Sequence, residues 1–258
     1  MFTIIYPVFE RGRILKKELL MTLRDYSFGQ VQLQFDKWTD GILLGCDISV
    51  EEKQLHIAPG MLKWNGFIYA MVEVQKIDFT ATEQVSVLKI QFSTLASTAT
   101  DYERYAGKFV LDNSTSLLEN ELELCRFKLK EGNRLRSDYT GFTDMQTEYD
   151  TVHLAHATWA GIERQTLALP ILRQFAKEAF VCNLQNAWDI YFCGQCMSGQ
   201  TIHRDVLLAY IRSHGEHITG KENGVQLYEM LVRILDKLKR NIGTTPQTPR
   251  KRPLIVVD

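Results

Sequence analysis

The sequence has no excess of either charge, no long apolar run and few cysteines. Its 258 residues carry 30 Lys and Arg against 31 Asp and Glu, a formal net charge of -1. A dedicated nucleic-acid binder shows a clear basic excess, so that class is disfavoured. No uncharged stretch reaches the roughly 18 residues needed to span a bilayer. Five cysteines without a paired framework fit a reducing compartment rather than a disulfide scaffold. The opening MFTIIYPVFERGR is apolar only briefly. It has no basic n-region, long apolar region or small-residue cleavage site, so no secretory leader is expected. The expectation is a soluble protein made in the cytoplasm, with no membrane partner.

Common catalytic signatures are missing as well. There is no G-x-x-x-x-G-K-[ST] phosphate loop, no G-x-G-x-x-G after a strand, no G-x-S-x-G elbow and no H-E-x-x-H. This removes the usual nucleotide, dinucleotide, hydrolase and zinc-protease routes. No enzyme and no cofactor is expected.

What the sequence does hold is β patterning followed by helical patterning. Asp40 to Val74 reads DGILLGCDISVEEKQLHIAPGMLKWNGFIYAMVEV, a run of short apolar strands without a chemical cluster. Ile48 and Val50, then Leu55 and Ile57, alternate with polar residues. Asn65-Gly66 between Met61–Trp64 and Phe67–Val74 predicts a type I′ hairpin, because both central residues must take positive φ. Val85–Phe92 and Glu121–Leu129 are further strands; in the second, Cys125, Phe127 and Leu129 face opposite Arg126 and Lys128. Between them Ser93–Asn120 is polar, with a short strand expected near Phe109–Leu111. Glu131-Gly132-Asn133 is a turn.

Five helical stretches are expected. Glu10–Asp25 places Ile14, Leu15, Leu19, Leu20 and Leu23 on one face. Such a helix covers a core, or docks on a partner. From Leu169, Pro170 suits a first helical position, and Leu172, Phe175, Ala176, Ala179 and Phe180 form a stripe. Helices over Gln185–Met197 and Thr201–Ser213 follow. Val225–Arg240 buries Leu227, Met230, Leu231, Ile234, Leu235 and Leu238, with Lys237, Lys239 and Arg240 in its last turn. The predicted class is α+β: an N-terminal helix and mostly antiparallel β domain over 1–150, with the acidic, aperiodic Asp138–Asp150 at the boundary. A helical domain over 151–242 and an extended C-terminal arm over 243–258 follow.

Four constellations bear on chemistry. Cys193-Gly194-Gln195-Cys196 reads as core packing on a helix. A zinc reading would add Cys182 and His203, in no standard finger spacing. A redox reading would need the first cysteine to open a helix after a strand. His153/His156 and His214/His217 read as surface or loop histidines. Asp144, Glu148 and Asp150 read as solvated loop charges. The arm carries Arg250-Lys251-Arg252, too few cations for tight nucleic-acid binding alone. It ends in Leu254-Ile255-Val256-Val257. These four β-favouring residues suit strand addition to the open sheet edge of a neighbouring subunit; a free tail or one folded back on its own domain is the plain alternative.

Asp40–Val74, with "DGILLGCDISV…LHIAPGMLKWNGFIYAM", resembles the β module near the N-termini of phage tail-fibre and baseplate proteins. Glu119–Tyr139 (ENELELCRFKLKEGNRLRSDY) is similar to a strand-turn-strand of the same proteins. The resemblance covers roughly Glu10 to Tyr149; the helical half after Leu169 matches no family on its residues. It implies a structural subunit of a phage or prophage contractile tail, of baseplate or fibre-attachment type. Such a subunit would be oligomeric, would bind other tail or baseplate proteins, and would leave the cytoplasm as part of a virion or phage-like particle. The rivals are a zinc or redox protein centred on Cys193 and Cys196, a nucleic-acid accessory protein using Lys237–Arg252, and a chaperone for another tail protein.

Overall fold

A computed structural model describes residues 11, 14, 16–93, 97–98 and 103–241. It is α+β: one helix, then antiparallel strands, then four helices. The sequence order therefore holds, but the first helix does not do what its pattern suggests. Helix α1 spans Lys17–Gln34 and none of its residues is buried. It starts later than Glu10 and runs past Asp25. The hydroxyls of Thr22 and Ser27 donate to the carbonyls of Glu18 and Leu23, each at 2.8 Å, so these residues bond back along the helix instead of breaking it. Its end is fixed from outside. The ammonium of Lys63 donates to the carbonyls of Phe35, Asp36 and Trp38 at 2.8, 2.9 and 2.9 Å. A cation is favourable at the negative end of a helix, where carbonyls lack partners. A small cluster of Phe35, Leu43 and Ala160, with Val31 packed against it, holds this end to the body.

Three antiparallel sheets follow. One has the order β1 (Gly41–Gly45), β4 (Gly60–Trp64), β5 (Phe67–Met71). The second is β2 (Ile48–Glu51), β3 (Gln54–Ile57), β6 (Gln75–Asp78). The third places β7 (Val85–Phe92) between β10 (Gly107–Asp112) and β11 (Glu121–Lys128). Two short strands, β8 (Ser97–Thr98) and β9 (Glu103–Arg104), pair with each other. The Asn65-Gly66 hairpin is as expected, with φ of 47° and 77°. It sets the register Trp64↔Phe67 through Gly60↔Met71.

The central strand β7 is buried from Ser86 to Ile90. A strand enclosed on both faces loses the alternation that marks a half-solvated sheet. Two buried residues of β11, Glu121 and Glu123, are acidic, and Lys89, directly opposite Glu123, is 1% exposed. Lys89 lies 3.1 Å from Asp112 and 3.4 Å from Glu121. Glu123 is held by Arg126 at 2.5 Å.

The segment 151–168 ties the strands to the helices through isolated bridges, Arg126↔His153 and Ile42↔Trp159 among them. Helix α2 (Leu169–Val181) has Pro170 as its second residue, one position later than expected, and buries Leu169, Ile171, Leu172, Phe175, Ala176 and Ala179. Phe180, expected in that stripe, is exposed. Asn186 caps α3 (Ala187–Met197), its side chain accepting from the N–H of Trp188 at 3.0 Å. Helices α4 (Arg204–Ser213) and α5 (Gly224–Asn241) complete the order. An added Cβ at Gly224 would run into the carbonyl of Ala155, so glycine lets α5 start against the connecting segment. Aromatic contacts link the elements: Phe142 meets Phe175 and Tyr228, and Phe192 stacks on Tyr210 at 3.8 Å. The main buried cluster runs from Ile42 in β1 to Leu238 in α5.

Candidate functional site

The polar candidates are the first to be placed. Cys193 and Cys196 lie in the second half of α3 and are fully buried. Burial, with Asp189 nearby, pushes the Cys193 thiol up to about 12, and burial raises Cys196 further. A redox cysteine needs the opposite, a thiolate favoured at a helix N-terminus. Cys182 closes α2, its thiol 3.4 Å from the Glu178 carbonyl. His203 caps α4, its Nδ1 accepting from the N–H of Asp205 at 3.1 Å. Among the described residues no group of three or more His, Cys, Asp or Glu is placed to hold a metal.

Two readings of exposed charge need correction. His214 is not a free loop histidine: its Nε2 lies 2.8 Å from the buried carboxylate of Asp189, tying the end of α4 to α3. The signal was the acidic residue in the first turn of α3, which a single sequence does not pair with His214. Asp144 is not simply solvated either. Both its oxygens meet the guanidinium of Arg136, and the N–H and hydroxyl of Thr140 donate to it at 2.8 and 3.0 Å. The bonds to Arg136, aided by those from Thr140, hold this carboxyl down to about 2. Asp150 accepts from Asn133 at 2.6 Å, and Glu148 lies 3.7 Å from Lys128. These three carboxylates serve separate local structures and do not converge on a substrate position.

Two of the three cations at the end of α5 are likewise engaged within the fold, while Arg240 is exposed. Lys237 bonds Glu216 at 3.0 Å and Lys239 bonds Glu178 at 2.6 Å. Arg250-Lys251-Arg252 and the predicted docking residues Leu254, Ile255, Val256 and Val257 lie outside the described residues.

Among the described residues two apolar surfaces bear on assembly. The first is α1, with Tyr26 60%, Phe28 67% and Leu33 80% exposed and Leu20, Met21 and Leu23 also open. An isolated helix of this length is marginal in water, and a stable one normally buries an apolar face. The second is a groove of about 540 Å³ between β5 and β10. Its floor includes Leu62, Ile90 and Phe92, and its walls include Tyr69, Met71 and Phe109. Phe92 is fixed by Trp64, stacked at 5.0 Å, and by Tyr69 at 5.0 Å. Among the described residues no helix is long and apolar enough to cross a membrane.

No protein-family model matches the chain. A search of curated proteins found no match either. Among solved structures, a crystal structure of TssK aligns over 93% of this chain and 69% of its own length, at 9% identity and a TM-score of 0.40. At that TM-score the likeness transfers neither a fold nor a function.

Proposed function

We propose that this chain is a structural subunit of a contractile-tail baseplate, of phage or related type, and that it works by assembly rather than catalysis. The observation that carries the reading is α1: eighteen ordered residues rich in Leu, Met, Tyr and Phe, none of them buried. Large exposed apolar surface of this kind marks an interaction site. The sequence resemblance of Asp40–Val74 and Glu119–Tyr139 to tail-fibre and baseplate β modules supplies the kind of assembly. The titratable groups support it from the other side, since each cluster described above is tied up in local structure. Its partners would be other tail or baseplate proteins and further copies of itself, and it would end in the particle.

The test is to purify contractile particles from cells that make an epitope-tagged copy of the chain. The tagged chain is expected in finished particles at fixed stoichiometry. Its presence during assembly but absence from the finished particle would replace this reading with a chaperone role.

A further inference from the structure

The groove between β5 and β10 is bordered by two strand edges. Among the described residues β5 pairs only with β4, and β10 only with β7. Edge strands present rows of unused N–H and C=O groups, and natural proteins cover them or use them. Here the space between the edges has an apolar floor, which alternate side chains of an added strand would reach while its backbone meets an edge.

The geometry points to one occupant: the segment Leu254-Ile255-Val256-Val257 of a second copy of this chain, added as a strand in the β5–β10 groove. The inference rests on the assembly reading above and names the acceptor that reading lacks. The chain itself supplies the peptide. The described residues stop at 241, at the end of α5, and 17 more follow. The 13 steps from Asn241 to Leu254 span at most about 45 Å when extended, so the segment can reach well beyond the end of α5. Residues 254–257 are apolar and β-branched or leucine, matching an apolar floor and an edge.

The test compares the full chain with a variant lacking residues 253–258, by light scattering over a range of concentrations. A labelled peptide of residues 250–258 is then titrated onto the shortened variant. Deletion is expected to weaken self-association by about tenfold or more, with the thermal midpoint of the dilute monomer unchanged. The peptide should bind the shortened variant, and Ala70→Glu on the exposed groove wall should abolish that binding. Absence of peptide binding overturns the inference, and so does a fall in the monomer's midpoint on deletion, which would mean the segment folds back on its own body. If deletion leaves association unchanged while charge placed on α1 abolishes it, this docking fails and the assembly reading stands. If the peptide binds but the chain never associates or enters particles, the groove stands as a peptide site and the assembly reading fails.

Discussion

The ammonium of Lys89 and the carboxylate of Glu121 lie 3.4 Å apart with 1% and 4% of their side chains exposed. Neither is alone: Lys89 also reaches Asp112 and the Ser116 carbonyl, and Glu121 accepts from Gln91 at 3.2 Å and from the N–H of Leu118 at 3.0 Å. Desolvation of two charges offsets most of their attraction, so the pair adds little net stability. Breaking it is another matter, because one buried charge is then stranded. Lys89→Met should destabilise the fold by about 3–5 kcal/mol, read from the urea midpoint at unchanged slope. Adding Glu121→Gln to that variant should recover part of the loss. A loss under about 1 kcal/mol for the single change would mean that water reaches the pair and the third sheet is more open than described.

Acid should act in part through Arg136 and Asp144, alongside Glu222, whose carboxyl is also lowered to about 2. The folded carboxyl is held down to about 2, below its ordinary 3.8. A carboxyl whose pKa is depressed by folding stabilises fully above its unfolded pKa, and that contribution disappears as pH falls through the folded value. The wild-type melting temperature should therefore fall between about pH 4 and pH 2. Asp144→Asn should be less stable at pH 7 by roughly 1 kcal/mol, allowing for solvent screening, and its loss over that acid window should be shallower. Parallel acid profiles for the two proteins would remove Asp144 from the account.

Legibility in the sequence followed locality. The Asn65-Gly66 turn is written in two adjacent residues, and the structure has it. Helices α2 and α5 carry their periodicity within a dozen residues, and their buried faces came out nearly as read, except that Phe180 is exposed and Met230 only partly buried. The long-range features were not legible. Lys89 sits in an apolar strand where a charge reads as the solvent face, and only the flanking β10 and β11 enclose it. The bridges Arg126↔His153 and Ile42↔Trp159 join residues far apart in sequence, with no pattern to announce them. Helix α1 was legible as a helix but not in its role, for a related reason. Its stripe shows that an apolar face exists, but a stripe does not say whether the cover is its own core or another chain. Of the two surfaces, one came from a readable helix, while the groove depends on how two sheets lie together.

Charge on α1 separates those two covers. Leu23 and Phe28 are both exposed, so Leu23→Lys with Phe28→Lys removes apolar surface without opening a cavity. The thermal midpoint of the dilute protein should change by no more than about 0.5 kcal/mol equivalent, as for other surface substitutions. Association measured by sedimentation should drop sharply. A large fall in stability would instead mean that α1 packs on its own body in solution.

The cysteines offer the sharpest separation of assembly from chemistry. All five are free thiols and buried. With Cys193 pushed up to about 12 and Cys46 to about 11, the thiolate that reacts is scarce at neutral pH as well as enclosed. A thiol reagent should therefore leave the native protein unlabelled over the time in which it labels all five in denaturant. Because Cys193 and Cys196 fill the core between α2, α3 and α4, replacing either by Ala should cost stability through the cavity left behind, about 1–2 kcal/mol each. Chelator should leave the thermal midpoint where it was. Structural zinc contributes folding free energy outright, so a site there would make the midpoint fall on chelation. Rapid native labelling of Cys193 or Cys196, or a midpoint that follows metal removal, would bring back the chemical reading of this motif and weaken the case that the chain acts through surfaces alone.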